Sequence, residues 1–437
     1  MQLELDQIQG TVLRDRPMPY VGAYLLYQID DADQARRMLR RLIPYVTTAA
    51  DWQGPDAGAW LNIVFTHPGL RALGLPRDIL DGFPREFREP MRTRKEFLGD
   101  LGDSDPGNWD LPGRGRFDVG LLLMAPDQAA FDAKLAIGHG AQADLDGITR
   151  VDRLDIRTPE NLREHFGFVD GISRPFIEGQ GGEPKPGQAV TKAGEFLLGY
   201  VNELGHVATG PGPQALWRNG TYLSIRKLHQ NVAMFRRFLK DHAQDADGEE
   251  LLAAKMVGRW RSGCPLALSP DKDTPRDPAR LNDFAYRDDD PDGRKTPPGS
   301  HIRRVNPRDA LTDTIVDARL HRLLRRGAAY GPMLPEGVLD DDGVPRGAVL
   351  AFVNADPGRQ FEFVQSQWIN DGNFISAGTD QDPIAGSHVT DSDFAYPARP
   401  VRRRLRGLPA FVVTRGGEHV FLPGISGLRH LAGATAG

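Results

Sequence analysis

Apolar positions in the first third of the chain fall into two alternating periods. Val21–Ile29 is a largely apolar run, short enough for a buried strand. Asp30, Asp31 and Asp33 follow as cap and first-turn acids. Ala35, Met38, Leu39 and Leu42 then recur at i, i+3, i+4 and i+7, the stripe of an amphipathic helix ending near Pro44. Trp60–Phe65 reads as a second strand and 117–124 as a third. A second helix opens at Asp127, places Phe131 and Leu135 on one face and stops at Gly138; 148–156 is a fourth strand. The order βαββαβ is the ferredoxin-like arrangement.

The middle is rich in loops. Residues 179–194 carry Gly, Pro, Lys and Gln and read as a surface loop or domain junction, and 282–300 as an exposed Asp/Pro/Gly loop. Between them, 223–228 reads as a strand and 232–239 as the helix after it. Further on, 349–353 is β-like, and Phe361, Val364 and Trp368 share a helical face. Residues 411–414 and 420–422 read as a hairpin turning near Gly416 and Gly417. Residues 432–437 read as a frayed end. The pattern predicts an α+β protein of two ferredoxin-like domains, 1–210 and 211–437.

Composition narrows the function classes. The 437 residues are 40% apolar and 26% charged, ordinary for a globular protein. A net charge of −5 favours neither nucleic acid nor an anionic membrane. No apolar run approaches the ~20 residues that span a bilayer. The single cysteine, Cys264, rules out an intramolecular disulfide and a Cys-rich metal site. With an N-terminus that lacks a basic and apolar leader, these features predict a cytoplasmic protein.

Three segments could carry chemistry. Gly167-Phe168-Val169-Asp170-Gly171 has the composition of a tight turn, and equally of a constrained loop offering Asp170 for proton transfer. Its glycines would let the backbone approach a flat ligand. In the second, Ser300 is a candidate helix cap before His301, and Arg303, Arg304 and Arg308 lie close behind. A lone histidine is more often structural than a ligand. The third, 323–332, contains Arg325-Arg326-Gly327 and resembles a helix end entering a loop, where an arginine can face a cavity. His321, His388 and His419 are isolated, and no zinc, nucleophile-elbow or phosphate-loop motif is present.

Taken jointly and in this order, the three segments resemble the dye-decolourising peroxidase family. The likeness rests on Gly-x-x-Asp-Gly at 167–171, on His-Ile-Arg and then Asn-Pro-Arg from His301 to Arg308, and on Arg-Arg-Gly from Arg325. Leu5-Asp6-Gln7-Ile8-Gln9-Gly10 and Gly194-Glu195-Phe196-Leu197-Leu198-Gly199-Tyr200 extend it over nearly the whole chain.

The resemblance implies two ferredoxin-like units of the dimeric α+β barrel type, with haem b in the C-terminal unit. It makes His301 the proximal iron ligand; Arg303, Arg304 and Arg308, close to it in sequence, are then candidate cations for the haem propionates, and Gly167 and Gly171 the glycines that let the backbone approach the cofactor. Asp170 becomes the group that moves a proton across hydrogen peroxide, and Arg325 the cation that offsets charge as the O–O bond breaks. An aromatic or dye-like donor then returns electrons singly. A carboxylate in this role suits an acidic activity optimum. Leu350 and Phe352 are candidates for lining the peroxide pocket. Trp368 and Tyr330 are candidates for relaying oxidising equivalents, core packing being the simpler role. The acceptor for the second ring nitrogen of His301 is not readable, and a homodimer is the default quaternary expectation. The rival readings are a haem-binding or haem-processing protein of deferrochelatase type, a cofactor-free binding protein, and a non-haem metal hydrolase; the last lacks a ligand cluster.

Overall fold

The computed structural model describes residues 2–50, 58–112, 115–389, 392–398 and 400–433. The first third folds as its periodicity predicts. Strand β1 (Val21–Ile29) leads into helix α1 (Ala32–Leu42), whose cap Asp31 accepts a hydrogen bond from the Gln34 amide. Strands β2 (Trp60–Phe65) and β3 (Val119–Ala125) follow. Helix α2 (Gln128–Gln142), capped by Asp127, and strand β4 (Ile148–Arg157) complete the unit.

The later strands are β5 (Thr221–Gln230), β6 (Leu324–Tyr330), β7 (Gly347–Asn354) and β8 (Val412–Leu422). Helices α3 (Val232–His242) and α4 (Ala246–Val257) and the short α5 (His301–Val305) lie between β5 and β6. These eight strands form one antiparallel sheet in the order β4-β1-β3-β2-β8-β5-β7-β6, apart from two short two-stranded ribbons elsewhere in the chain. Each half repeats the order fourth-first-third-second, so the protein contains two ferredoxin-like units side by side. The sheet curls until β4 packs against β6, and the Ala329 amide donates to Tyr20 Oη at 2.7 Å across the closure.

Strand alternation assigns the faces. In the first unit one face carries Ala23, Leu25, Ile63, Leu121 and Leu123 and is covered by α1 and α2. The other carries Tyr24, Leu26, Val64 and Leu122, and meets Leu223, Ile225, Val349, Ala351 and Val353 of the second unit inside the barrel. The outer face of the second unit is covered mostly by irregular chain.

Several expectations need correction. Val412–Leu422 is one long strand, not a hairpin. Gly416 and Gly417 sit at and just past a bulge where a Cβ would lie 2.3 Å from the Leu111 carbonyl oxygen and 2.6 Å from Met91 Sδ. The pair serves close approach rather than a turn. Residues 324–330 are strand β6, not a helix end. Helix α2 runs past Gly138 to Gln142, with Gly138 at ordinary contact distance from Leu121. The 282–300 loop is not simply exposed: Tyr286, Asp290, Thr296 and Ser300 are buried. Phe361, Val364 and Trp368 are all buried, on helical segments of wide, π-type turns (Gly358–Glu362 and Val364–Ile369). Of the tail, Ala432 is packed, and 434–437 lie outside the described residues.

Residue Phe421 of β8 pairs with Phe65 of β2 at the seam between the units, and its ring lies 5.7, 6.4 and 5.6 Å from those of Phe83, Phe87 and Tyr222. Truncating such a fully buried ring costs about 3–5 kcal/mol. Phe421→Ala is therefore expected to lower the thermal midpoint of both units together. Loss of helical and of aromatic circular dichroism in two separate steps, with one unchanged, would refute the shared seam.

Candidate active site

A cavity of about 990 Å³ occupies the outer side of the second unit. The strand period builds one wall. Arg226, Leu228 and Gln230 project from β5, Ala348, Leu350 and Phe352 from β7, and Arg325 from β6. Helix α5 supplies His301, Ile302 and Val305 to the lining, and the 358–369 segment supplies Phe361, Val364 and Trp368. The Gly-x-x-Asp-Gly loop contributes Asp170 and Gly171. Leu350 and Phe352 are thus both in the lining, as their strand parity requires.

His301 opens α5. Ser300 stands at the cap position, but its hydroxyl donates to the Lys255 carbonyl at 2.5 Å, tying the start of α5 to α4. His301 Nδ1 lies 2.8 Å from Asp382 Oδ2. An ionised carboxylate only accepts, so the ring proton sits on Nδ1 and the Nε2 lone pair is left for the cavity. Asp382 is fully buried, and its other oxygen accepts from the Ile384 and Ala385 amides at 2.9 and 3.0 Å. Burial pushes its carboxyl upward, but His301 and Arg304 together hold it below the usual range. A separation of 81 positions between His301 and Asp382 leaves no local signal that could have paired them in the sequence.

Asp170 carries two guanidinium partners. Arg325 Nη2 donates to Oδ1 at 2.7 Å and Arg16 Nη2 to Oδ2 at 3.3 Å. Burial pushes the Asp170 carboxyl up; Arg325 and then Arg16 outweigh it and hold the group below the usual carboxylate range. Arg16 was not anticipated, because Asp15-Arg16-Pro17 has no motif. Nor was Glu164, whose carboxylate accepts from the Phe166 and Phe168 amides and from Gln230 Nε2 at 3.0, 2.8 and 2.6 Å. It pins the loop bearing Asp170 to β5. The two adjacent arginines separate because they lie on a strand. Arg325 reaches Asp170, while Arg326, on the opposite face, donates to the Thr11 and Val12 carbonyls, each at 2.8 Å.

Other expected contacts are absent. Arg303 is buried, pairs with Asp290 at 3.0 Å and stacks 4.3 Å from the Tyr286 ring. Arg304 is buried and donates to the carbonyls of Trp368, Asp371 and Asp380. Neither lines the cavity, so neither is placed to meet a propionate. Arg304 instead clamps the 380–382 turn that presents Asp382. Gly167 also lies off the cavity, in a turn at φ +93° where a Cβ would lie 2.7 Å from the Arg261 guanidinium. Gly171, at φ +80°, has open space around its Cβ position, so a flat ligand could approach. Of the cavity arginines, Arg322 gives one nitrogen to Asn306 Oδ1, at 2.8 Å. His321 also lines the cavity, stacked 3.8 Å from the Phe363 ring. Trp368 is buried beside it, while Tyr330 lies outside the lining. Among the described residues no cluster of His, Cys, Asp and Glu could hold a bare metal ion.

A large, mostly apolar cavity lined by an imidazole whose ring proton a buried carboxylate fixes, with an ion-paired carboxylate on its rim, suits a planar iron porphyrin rather than a naked cation. No family model matches the chain. It is 32% identical to the dye-decolorizing peroxidase of Mycena epipterygia, over 99% of this chain and 88% of that protein. It is 30% identical to dye-decolorizing peroxidase AauDyP1 of Auricularia auricula-judae, over 98% and 86%. A solved dye-decolorizing peroxidase in complex with 2,6-dimethoxyphenol superposes with a TM-score of 0.86 at 30% identity, covering 98% of this chain and all of that one. The chain belongs to the dye-decolorizing peroxidase family.

The Asp382 contact yields a test. Removing a carboxylate behind a ligating histidine typically costs 10–100-fold in affinity for the metal group. Asp382→Asn is expected to weaken hemin binding by that order, read as a Soret titration, while leaving the far-ultraviolet dichroism intact. An unchanged titration would show that Asp382 does not orient the ligand.

Proposed function

We propose that this peroxidase holds haem b through His301 Nε2, reduces hydrogen peroxide and oxidises dyes, phenols or other aromatic donors. The observation that carries the reading is the single cavity shared by His301, its ring proton fixed by Asp382, and the Asp170–Arg325 pair. Bound haem iron would supply the two-electron cleavage of the peroxide bond, with the oxidising equivalents returned to the donor in one-electron steps. The residues of the chain do the remaining work. Asp170, held ionised, accepts the proton of the entering peroxide and gives it to the departing oxygen. Arg325 offsets the charge that develops there. Leu350 and Phe352 keep that side of the cavity apolar and limit water. Arg322, whose guanidinium burial pushes down to about 10, is the cavity cation we assign to a propionate in place of Arg303 and Arg304.

Division into domains near residue 210 is part of the same proposal, supported by the repeated strand order of the two units. A cytoplasmic location rests on the single cysteine alone, and a homodimer on the frequency of symmetric dimers. Among the described residues no helix is long and apolar enough to cross a membrane.

Reconstitution with hemin tests the reading. Wild type is expected to give a sharp Soret band and peroxide-dependent oxidation of 2,6-dimethoxyphenol. His301→Ala should lose or shift the band, and Asp170→Asn should keep it while losing 10²–10⁴-fold in peroxide turnover. A wild-type Soret band without turnover would instead favour a haem-binding or haem-processing protein.

The pH dependence has a definite sign. A depressed carboxyl keeps its charge, and so its function as a base, until the pH falls through the depressed value. The acid limb of kcat/KM for peroxide is therefore expected below the ordinary Asp value of about 4, consistent with an acidic optimum. Arg325→Leu should move that limb upward. A limb unmoved by this change would remove Asp170 as the titrating base.

A further inference from the structure

A second chamber of about 310 Å³ lies behind Asp170, against the inner face of the first unit. Strands β1 to β3 supply an apolar back wall that includes Tyr24, Trp60 and Leu122. Asp170 and Arg325 belong to both cavities and stand between them. The remaining charged lining is mostly basic: Arg16, Arg174, Lys185 and Arg326, with Asp15. Each carboxylate is shared by two arginines. Asp15 pairs with Arg174 and Arg326, and Asp170 with Arg16 and Arg325. That leaves the arginines in excess, with Lys185 exposed at the rim.

Two further observations point to a missing negative partner. Arg16 Nε is buried and has no hydrogen-bond partner among the described residues, a costly state for a cationic donor. The Arg326 guanidinium is pushed down to about 9, first by burial and then by repulsion from Arg174 and Arg16. Low-dielectric walls strengthen this uncompensated field. The volume is at the small end for a ligand pocket, too small for a bulky dye and adequate for a few heavy atoms.

We propose that this chamber binds a small monovalent anion, a halide or short carboxylate, which competes with Asp170 for Arg16 and so governs the acid limit of the enzyme. The second half rests on the proton-transfer role assigned to Asp170. Arg16 is the weaker of its two tethers, 3.3 Å against 2.7 Å for Arg325, and so the one an entering anion can draw away. The groups facing Asp170 are Arg16, Asp15 and Tyr20 from the N-terminal segment, Glu164 and Arg174 from its own stretch, Lys185 from the next loop, and Arg325 and Arg326 from β6. Loss of Arg16 and arrival of a negative charge both favour the protonated carboxyl. The anion therefore moves the acid limb to higher pH, and its effect fades at pH values well above that limb.

Nitrate is a suitable probe, being monovalent, redox-inert under these conditions and a poor iron ligand. Calorimetric titration of the full-length chain without added haem, in a carboxylate-free zwitterionic buffer, is expected to show saturable nitrate binding. Arg16→Gln should weaken it at least tenfold, and the rim variant Lys185→Gln by a smaller factor without disturbing the melting profile. No saturable binding in wild type, or equal binding in all three proteins, overturns the site. The haem-loaded enzyme is then assayed for the acid limb of peroxide turnover with and without nitrate. An upward shift in wild type, absent from Arg16→Gln and with an unaltered Soret band, is expected. An unmoved limb, or a shift that accompanies a changed Soret band, overturns the coupling. Failure of hemin to bind would count against the peroxidase assignment and leave the calorimetric result standing.

Discussion

Irregular backbone can be buried only where its carbonyl groups find donors, and the outer face of the second unit depends on meeting that demand. Arginine meets it repeatedly. Arg259 reaches the Gly263 and Leu281 carbonyls, Arg303 those of Thr296 and Asp290, Arg304 those of Trp368, Asp371 and Asp380, and Arg308 those of Asn282 and Phe284. A guanidinium offers five donors in a fixed plane, so one side chain can pin several strands of loop at once. In the first unit helices α1 and α2 satisfy their own backbone and cover strands β1 to β3. In the second, arginine-pinned loops cover the sheet incompletely, and the remaining space is the cavity. The same pinning orients His301, because Arg304 holds the turn from which Asp382 meets it.

The first unit was legible because each element there is long enough to show its period: β1 and α1 have the apolar spacing of a buried strand and an amphipathic helix, and both helix caps are aspartates. The second was legible only in parts. Strand β6 begins Leu-Arg-Arg-Gly, with charges on both faces because each face borders a cavity, so no alternation of apolar and polar residues survives. Strand β8 contains Gly416-Gly417, which resembles a turn in sequence and acts as a gap for the Met91 and Leu111 segments in space. Burial of Tyr286 and Asp290 is invisible in an Asp- and Pro-rich stretch, since the partner that buries them, Arg303, lies beyond the loop.

For the site, the resemblance pointed to Asp170, His301 and Arg325, and all three line one cavity. What local reading could not supply was long-range. Asp382, Glu164 and Arg16 act on residues that the chain brings near only after folding. Arg303 and Arg304, close to His301 in sequence, turn on a short helix into the surrounding loops, a direction that sequence proximity does not convey.

Strand β6 also works as a partition wall with an address on each side. Arg325 reaches Asp170, which both compartments share, while Arg326 borders the smaller one alone, because neighbouring residues of a strand face opposite ways. Parity, rather than the identity of either side chain, assigns them. Both residues are arginine, so exchanging their order in the sequence would change nothing. Sliding the strand by a single residue against β7 would put either Leu324 or Arg326 in the place of Arg325, and in the first case would leave Asp170 facing no cation from this strand. The pairing of β6 with β7 is thus part of the chemistry of the site, and length changes in the loop that joins them are tolerable only if they leave that parity intact.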